Sequence, residues 1–569
     1  MRGEVSAAER RRLEVEHGLH PLAAGVLAQR GIGAEQAGAF LTPSLRDLPE
    51  PERLPGFAAA ADAIEAARAA GSTVLLHGDY DVDGMSGAVL MQMLCRLLGV
   101  KTEVFLPDRV ADGYSFGPRS LEAVRACGAS LVIAVDNGTT AFAPLAELAA
   151  RGVQVVIVDH HPPAAELPRC TALVNPWLAP REGPDAVFPH FCGTAMAWLL
   201  TWGVLRRIHG TAPMPPAARR LLQDALGLVA LATIADVMPL TGPNRALVAS
   251  GLRALADSGL PGLRALLGVS GVRGAPTAQD LAFRVAPRLN AAGRLRRTSL
   301  AFDLLAATSA PDAQRICASL DALNRERREI QEREMRSLAP QIEEQRRAGA
   351  GVIFAGRQDA HFGVLGVVAG QVLETTGLPT LLWAECGPGL ARGSARAPEG
   401  CNAVALLAGA AEHLSGYGGH ARAAGFHFDP ARAQEVGAAL HRTARALPPP
   451  GQPALELDGE LTPGESDLEA ALALRRLAPF GEGFAEPLFL CTGARLAADP
   501  RALGSGDHAE LRLERDGAAV RALAWRSFAR FRDLRAGCMV DAVISLSVNE
   551  FRGRRSVEWV VRDLASSGI

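Results

Sequence analysis

Lysine is almost missing from this chain. Lys101 is the sole lysine in 569 residues, and arginine supplies the rest of the 59 basic side chains. With 59 glycines, 37 prolines and abundant alanine, that skew reflects a biased genome rather than a function. An excess of either charge is also missing. The formal net charge is −2, so whole-chain charge gives no support for a nucleic-acid partner. It leaves a local basic groove open, because net charge says nothing about distribution. No Cys-x-x-Cys pair occurs among the nine cysteines, which argues against a structural zinc site and a disulfide framework. No apolar run reaches bilayer-spanning length, and the Arg- and Glu-rich N-terminus carries no apolar signal core. These absences lead to the expectation of a cytoplasmic enzyme of bacterial type with no membrane partner. The chain is too long for one core, and about 150 residues per domain suggests roughly three or four domains.

What is present is concentrated at the ends of apolar runs. Thr73-Val74-Leu75-Leu76 leads into His77-Gly78-Asp79-Tyr80-Asp81-Val82-Asp83-Gly84. Leu131–Val135 runs into Asp136, and Val153–Val158 runs into Asp159-His160-His161. Asp236 closes another apolar stretch, Ala232-Thr233-Ile234-Ala235. Taken singly, each has a bland reading as a solvated turn or a helix cap. Taken together, they predict one site at the carboxyl edge of a parallel sheet, where open α/β sheets place their ligands. Carboxylates packed this closely repel one another unless a cation sits between them. The candidate ligands are His77, Asp81, Asp83, Asp136, His160 and Asp236. Oxygen and imidazole donors without thiolate favour Mn²⁺ or Mg²⁺. Their number suggests two ions sharing one carboxylate, an arrangement suited to displacement at phosphorus.

The rest of the chain reads in blocks. Residues 1–50 look helical and preparatory. Alternation of strand-like and Ala/Leu-rich segments from about 55 to 205 is the signature of βαβ units. A long polar segment over 311–348, interrupted only by Pro340, predicts a connecting helix. A second α/β region follows over 349–447. Pro448-Pro449-Pro450-Gly451 reads as a linker. Short alternating strands over 455–569 suggest a small β-barrel of the oligonucleotide-binding kind, though periodicity alone does not separate it from other small β domains.

These residues carry a resemblance. Asp159-His160-His161 and His77-x-x-x-Asp81-x-Asp83-Gly84 resemble the defining motifs of the DHH phosphoesterase superfamily. Thr233–Leu240, Arg284–Arg294, His361–Gly366, Gly418–Phe426, Pro479–Gly483 and Asn549–Gly553 extend the resemblance to the RecJ family of single-strand-specific 5′→3′ DNA exonucleases. It implies a DHH catalytic domain over 51–310, a DHH-associated (DHHA1) domain over 349–447 and an OB-fold over 455–569. It also implies that His77, Asp81 and Asp136 hold one ion, and Asp83, Asp136, His160 and Asp236 the other. His161 is implied as the phosphate-facing charge stabiliser or proton donor, with Asp79 orienting a ligand from behind.

For DNA, Arg109, Tyr114, Arg119, Arg288, Arg294 and Arg296 are expected near the site loops. Arginine pairs with phosphate in a bidentate way, and tyrosine stacks on bases. Arg392-Gly393-Ser394-Ala395-Arg396 is read as a loop whose backbone amides, Ser394 and Arg396 cradle a 5′-phosphate. His420 is expected to face substrate. The implied partners are single-stranded DNA, a single-strand-binding protein and a RecQ-type helicase, and the implied state is a monomer in DNA repair and recombination. Two rival readings stand beside this one. A DHH phosphodiesterase or nano-RNase acting on short oligonucleotides or cyclic dinucleotides would have no use for the β-rich tail. A non-catalytic replication scaffold would have lost acids that are intact here.

Overall fold

The computed structural model describes residues 6–109, 112, 115–183, 186–447, 454–504, 506–551 and 553–566. Tyr114 and the Pro448–Gly451 linker lie outside the described residues. The chain forms two units, one of residues 49–236 and 251–453, the other of residues 1–48, 237–250 and 454–569.

The first unit opens on a five-stranded parallel sheet of β1 (Thr73–His77), β2 (Lys101–Phe105), β3 (Leu131–Val135), β4 (Gln154–Val158) and β5 (Ala172–Val174), in the order β2-β1-β3-β4-β5. β1, β3 and β4 are apolar and buried along most of their length, as strands covered on both faces must be. The strand order reverses between β1 and β3, so a crevice opens beyond their carboxyl ends. Helix α1 (Val82–Leu98) leaves that edge, and α2 (Gly193–His209) and α3 (Pro216–Ala235) pack against it. Helix α4 (Ala286–Arg294) follows a π-helical turn over Leu281–Val285.

Helix α5 (Ala310–Arg347) has 38 residues, about 57 Å at 1.5 Å per residue, and matches the expected connecting segment. Ala313, Ile316, Cys317, Leu320 and Asn324 are buried in its first half, and Glu334, Leu338 and Ile342 in its second. The second half packs on a mixed sheet of β6 (Ile353–Arg357), β7 (Thr380–Gly387), β8 (Leu390–Arg396), β9 (Gly416–Gly419) and β10 (Ala423–Phe428), ordered β6-β7-β8-β10-β9. Helix α6 (Phe362–Thr376) lies against that sheet.

One expectation is corrected here. Arg392–Arg396 is not a loop but the body of β8, paired antiparallel with β7 and β10. Its amides are committed to the ladder on both sides and cannot cradle a phosphate. Strand alternation instead puts Arg392, Ser394 and Arg396 on the more open face, while Ala391, Gly393 and Ala395 are buried.

The second unit holds β11 (Gly459–Glu460), β12 (Phe489–Leu496), β13 (Arg501–Leu503), β14 (His508–Arg515), β15 (Ala518–Ala524), β16 (Met539–Phe551) and β17 (Arg554–Ser566). The path β12–β16–β17–β15–β14 closes through the β12–β14 pairing into a five-stranded barrel, the OB arrangement. The N-terminal helices Ala7–His17, Pro21–Gln29 and Ala34–Leu41 are not a separate preparatory region. Leu13, Ala24, Leu27 and Ala37 share one core with Leu474, Phe489, Leu511, Ile544 and Trp559 of the barrel. Arg30 seals that join with two bonds to Asp458, at 2.8 and 2.7 Å. The buried Arg245 donates to the carbonyls of Phe40, Pro479, Leu477 and Ala478 and so ties three distant stretches together through their backbones.

Candidate metal centre and anion pocket

The carboxyl ends of β1, β3 and β4 converge with the last turn of α3, and each brings its side chain for a local reason. Asp81 N-caps α1, its Oδ1 accepting from the amides of Asp83 and Gly84 at 3.0 and 3.1 Å. Asp83, two residues on, accepts from the amides of Gly193 and Thr194 at 2.6 and 2.7 Å, so the N-terminus of α2 fixes its carboxyl group in place. Gly193 has to be glycine: a Cβ there would lie 2.7 Å from that of Asp136 and 3.1 Å from Asp83 Oδ2. Asp136 follows β3 in the left-handed region at φ 65°, a conformation that Asp tolerates better than most side chains and that turns its carboxylate into the crevice. Asp236 caps the carboxyl end of α3.

His160 Nε2 sits 3.1 Å from Asp136 Oδ1, 3.5 Å from Asp236 Oδ2 and 3.8 Å from Asp83 Oδ2. Donor atoms of Asp83, His160 and Asp236 lie within 4.8 Å of one another, as do those of Asp79, Asp81 and Asp136, and those of Asp136, Asp159, His160 and His161. Asp79 thus lies within this spacing of both Asp81 and Asp136. His77 belongs to none of these three groups. It is fully buried at the end of β1, stacked on Phe116 at 4.1 Å, with Nε2 against Ser120 Oγ at 2.9 Å. Burial pulls its pKa down to about 4, so the ring is neutral, and its buried Nδ1 has no hydrogen-bond partner among the described residues.

The site fits a divalent cation on the chemistry of its donors. Besides His77 Nδ1, Asp79 Oδ1 and Asp236 Oδ2 are buried without a hydrogen-bond partner among the described residues. Burial, then the neighbouring carboxylates, push Asp79, Asp136 and Asp236 well above the usual carboxylate range. Buried acids in such numbers are stable when paired with cations or bound to metal. Cys192, the N-cap of α2, belongs to none of these groups; its Sγ accepts from the Ala195 amide at 3.4 Å and lies 3.5 Å from Thr233 Oγ1, so the grouped donors are oxygen and imidazole.

Asp159 has a different task. Its Oδ2 accepts from the Thr139 hydroxyl at 2.6 Å, and its Oδ1 accepts from the amide of His160 and lies 2.7 Å from His161 Nδ1. Burial opposes the charge on His161, but the hydrogen bond and charge of Asp159 more than offset it and raise the ring to about 9. Asn175 and Trp177 steady the same motif by donating to the carbonyls of His161 and His160. The motif signals a cluster of ligands, but it does not reveal that its first residue serves as a brace, because that depends on Thr139 and Asn175 arriving from other loops.

An arginine pocket adjoins the acids. Arg109 lies over the Tyr80 ring at 5.1 Å and within electrostatic reach of Asp79 and Asp81. Arg294 donates to the Gly363 carbonyl at 3.3 Å, and Arg396 donates to Ser394 Oγ at 3.0 Å and to the Ala395 carbonyl at 2.7 Å. Burial, then the charges of Arg109, Arg327 and Arg396, lower Arg294 to about 9, and burial with Arg109 lowers Arg396. Among the described residues, neither Arg294 nor Arg396 forms a salt bridge with a carboxylate. His420, at the exposed β9–β10 turn, is within electrostatic reach of His160.

Other sequence candidates are spent elsewhere. Arg288 pairs with Asp321 at 3.0 Å and donates to the carbonyls of Arg284 and Val269, so it ties α4 to α5 rather than facing the crevice. Arg119 and Arg296 form exposed pairs with Asp112 and Asp108.

Comparison with known proteins bears on the whole chain. Residues 73–233 match the DHH family N-terminal domain, 349–446 the DHHA1 domain and 457–563 the RecJ OB domain. The single-stranded-DNA-specific exonuclease RecJ of Thermus thermophilus is 35% identical over 95% of this chain and 76% of its own length. That of Dickeya dadantii is 33% identical over 97% of both. The crystal structure of the Thermus thermophilus protein with Mn²⁺ superposes with a TM-score of 0.83 at 34% identity, covering 99% of this chain and 78% of that one. Its Mg²⁺ complex gives 0.78 at 31% identity, covering 99% and 77%. With its DHH, DHHA1 and RecJ OB domains matched in turn and its fold matched over 99% of its length, this chain belongs to the RecJ family of the DHH phosphoesterase superfamily.

Proposed function

We propose that this chain is a single-stranded-DNA-specific 5′→3′ exonuclease that releases 5′-mononucleotides. The observation that carries the reading is the juxtaposition of a crowded acid–imidazole crevice with an arginine pocket in which, among the described residues, Arg294 and Arg396 lack a carboxylate partner. An internal phosphodiester and a terminal phosphate of one strand would fill the two sites together.

In this reading His77, Asp81 and Asp136 would hold one divalent ion, and Asp83, Asp136, His160 and Asp236 would hold the other, with Asp79 beside them. Bound Mn²⁺ or Mg²⁺ would supply an activated water and neutralise charge on the phosphate. The remaining work belongs to side chains. His161, kept cationic by Asp159, would stabilise charge on the scissile phosphate or hand a proton to the leaving oxygen. Arg109, Arg294, Ser394 and Arg396 would hold the 5′-phosphate, with His420 closing on the strand from the second sheet. Residues 51–310 and 349–447 would form the catalytic body and 455–569 the strand-holding barrel. Work on a displaced strand in repair and recombination suits a cytoplasmic monomer acting with a single-strand-binding protein and a RecQ-type helicase.

The test is hydrolysis of 5′- and 3′-labelled strands, single and duplex, with Mn²⁺ or Mg²⁺. The expected result is mononucleotides from the 5′ end of single strands only. Asp136→Ala is expected to abolish hydrolysis and keep strand binding. A variant retaining a tenth of the rate would overturn the shared-ligand assignment.

A further inference from the structure

We propose that Tyr80 holds the arginine pocket in register with the metal-binding carboxylates and so sets the one-nucleotide step. This rests on the exonuclease reading above and adds a positioning residue to it. Tyr80 lies between Asp79 and Asp81, so any shift of its peptide moves both acids. Its ring carries the Arg109 guanidinium at 5.1 Å, a cation–π contact that fixes one wall of the pocket. Its carbonyl is met by α4 so closely that a Cβ on Gly293 would fall 2.5 Å from the oxygen. Arg294, the next residue of α4, is the second wall. One residue thus joins two arginines to two acids, through its ring on one side and its backbone on the other.

The hydroxyl belongs to the same arrangement. Among the described residues it makes no hydrogen bond, and it lies within reach of the charges of Asp79, Asp81 and Asp136 on one side and of Arg109 and Arg294 on the other. With Arg109 over one ring face, the ring serves as a platform rather than as a base-stacking surface. A purely structural tyrosine would affect folding or metal content. A registering tyrosine affects which strand end is preferred and how long the released product is.

The experiment compares full-length Tyr80→Leu, Tyr80→Phe and Gly293→Ala with the wild type. The readouts are metal content, thermal melting, kcat/KM on 5′-phosphorylated and 5′-hydroxyl strands, and product length. Tyr80→Leu is expected to lower the preference for the 5′-phosphate by about 5- to 30-fold, the size of a partly desolvated cation–π contact, and to release some dinucleotide, with metal content unchanged. Tyr80→Phe keeps the platform and is expected to hold the preference within about twofold. Gly293→Ala presses on Tyr80 chiefly at its carbonyl oxygen and is expected to shift the preference in the same direction as Tyr80→Leu, which keeps the test decisive if that variant folds poorly. An unchanged preference in both Tyr80→Leu and Gly293→Ala, or loss of metal in step with loss of rate, overturns the role. A wild-type enzyme without end preference or mononucleotide product overturns the exonuclease reading itself, a result distinct from failure of the Tyr80 variants alone.

Discussion

Replacing Arg396 with alanine should change which 5′ ends the enzyme accepts more than how fast it cuts. The guanidinium is anchored along one edge, where Nη1 donates to Ser394 Oγ at 3.0 Å and to the Ala395 carbonyl at 2.7 Å. The other nitrogen, Nη2, lies beside Gly366, where a Cβ would come within 2.9 Å of it, and has no carboxylate partner among the described residues. Backbone pairing of β8 to β7 and β10 does not depend on the side chain, so the ladder survives the substitution. A charge-assisted hydrogen bond contributes about 1.5–3 kcal/mol, or roughly 10- to 150-fold in preference for a terminal phosphate. The remaining arginines temper the loss. Arg396 lowers the pKa of Arg294, so removing it lets Arg294 hold its charge more firmly. The expected outcome is therefore a fall of about 10- to 50-fold in the ratio of kcat/KM for 5′-phosphorylated over 5′-hydroxyl strands. Arg396→Lys keeps the charge but not the fork and should fall between wild type and alanine. The assay is that ratio under Mn²⁺, with bound metal measured in parallel. A ratio within twofold of wild type in both variants would refute the assignment and leave end recognition to Arg109 and Arg294.

Further outcomes follow from the same geometry. His160→Ala should lose metal, while His161→Ala should keep it and lower kcat by about 10²–10⁴-fold; equal metal loss in the two would end the division of roles. Asp159→Asn removes the group that raises His161, so the rate should fall most between pH 6.5 and about 9, where only the wild-type ring stays protonated. Metal-free protein should lose stability as pH rises above the ordinary carboxylate range, because the raised pKa values of Asp79, Asp136 and Asp236 mean that folding takes up protons there. The thermal shift produced by Mn²⁺ should accordingly be larger at pH about 8 than at about 5.5, and an equal shift would count against these acids as ligands. A chain ending at Leu447 should aggregate or lose helix content rather than persist as a tidy short-substrate enzyme, since Leu13, Ala24 and Leu27 would lose the barrel that covers them. A monodisperse, fully helical truncation would contradict that shared core.

How much was legible in the sequence depends on whether the signal is local. The convergence of acids was legible because several of them follow apolar strands, and in a parallel sheet every strand end faces the same edge. The long connecting helix was legible too, because its polar, helix-favouring composition runs unbroken except at Pro340. The phosphate cradle was misread. Gly393 and Ser394 look like loop residues, but small side chains also suit a central strand whose neighbours press close; a Cβ on Gly393 would meet the Phe426 ring at 2.0 Å. Arg288 and Arg294 flank the same small residues and look equivalent, yet α4 turns one toward Asp321 and the other into the arginine pocket.

The order of residues alone therefore shows which donors exist, that several of them follow apolar strands, and that a β-rich segment ends the chain. Their company is a matter of the folded state. Folding made Asp159 a brace by bringing Thr139 to it, left Arg294 and Arg396 without acids among the described residues, and buried the N-terminal helices against strands more than 400 residues away. The reason is physical. Hydrogen bonding within a turn and alternation along a strand are local and leave their mark in neighbouring residues. The pairing of one charge with another, and the covering of one apolar face by another, depend on packing between distant segments, and no short stretch of sequence encodes that.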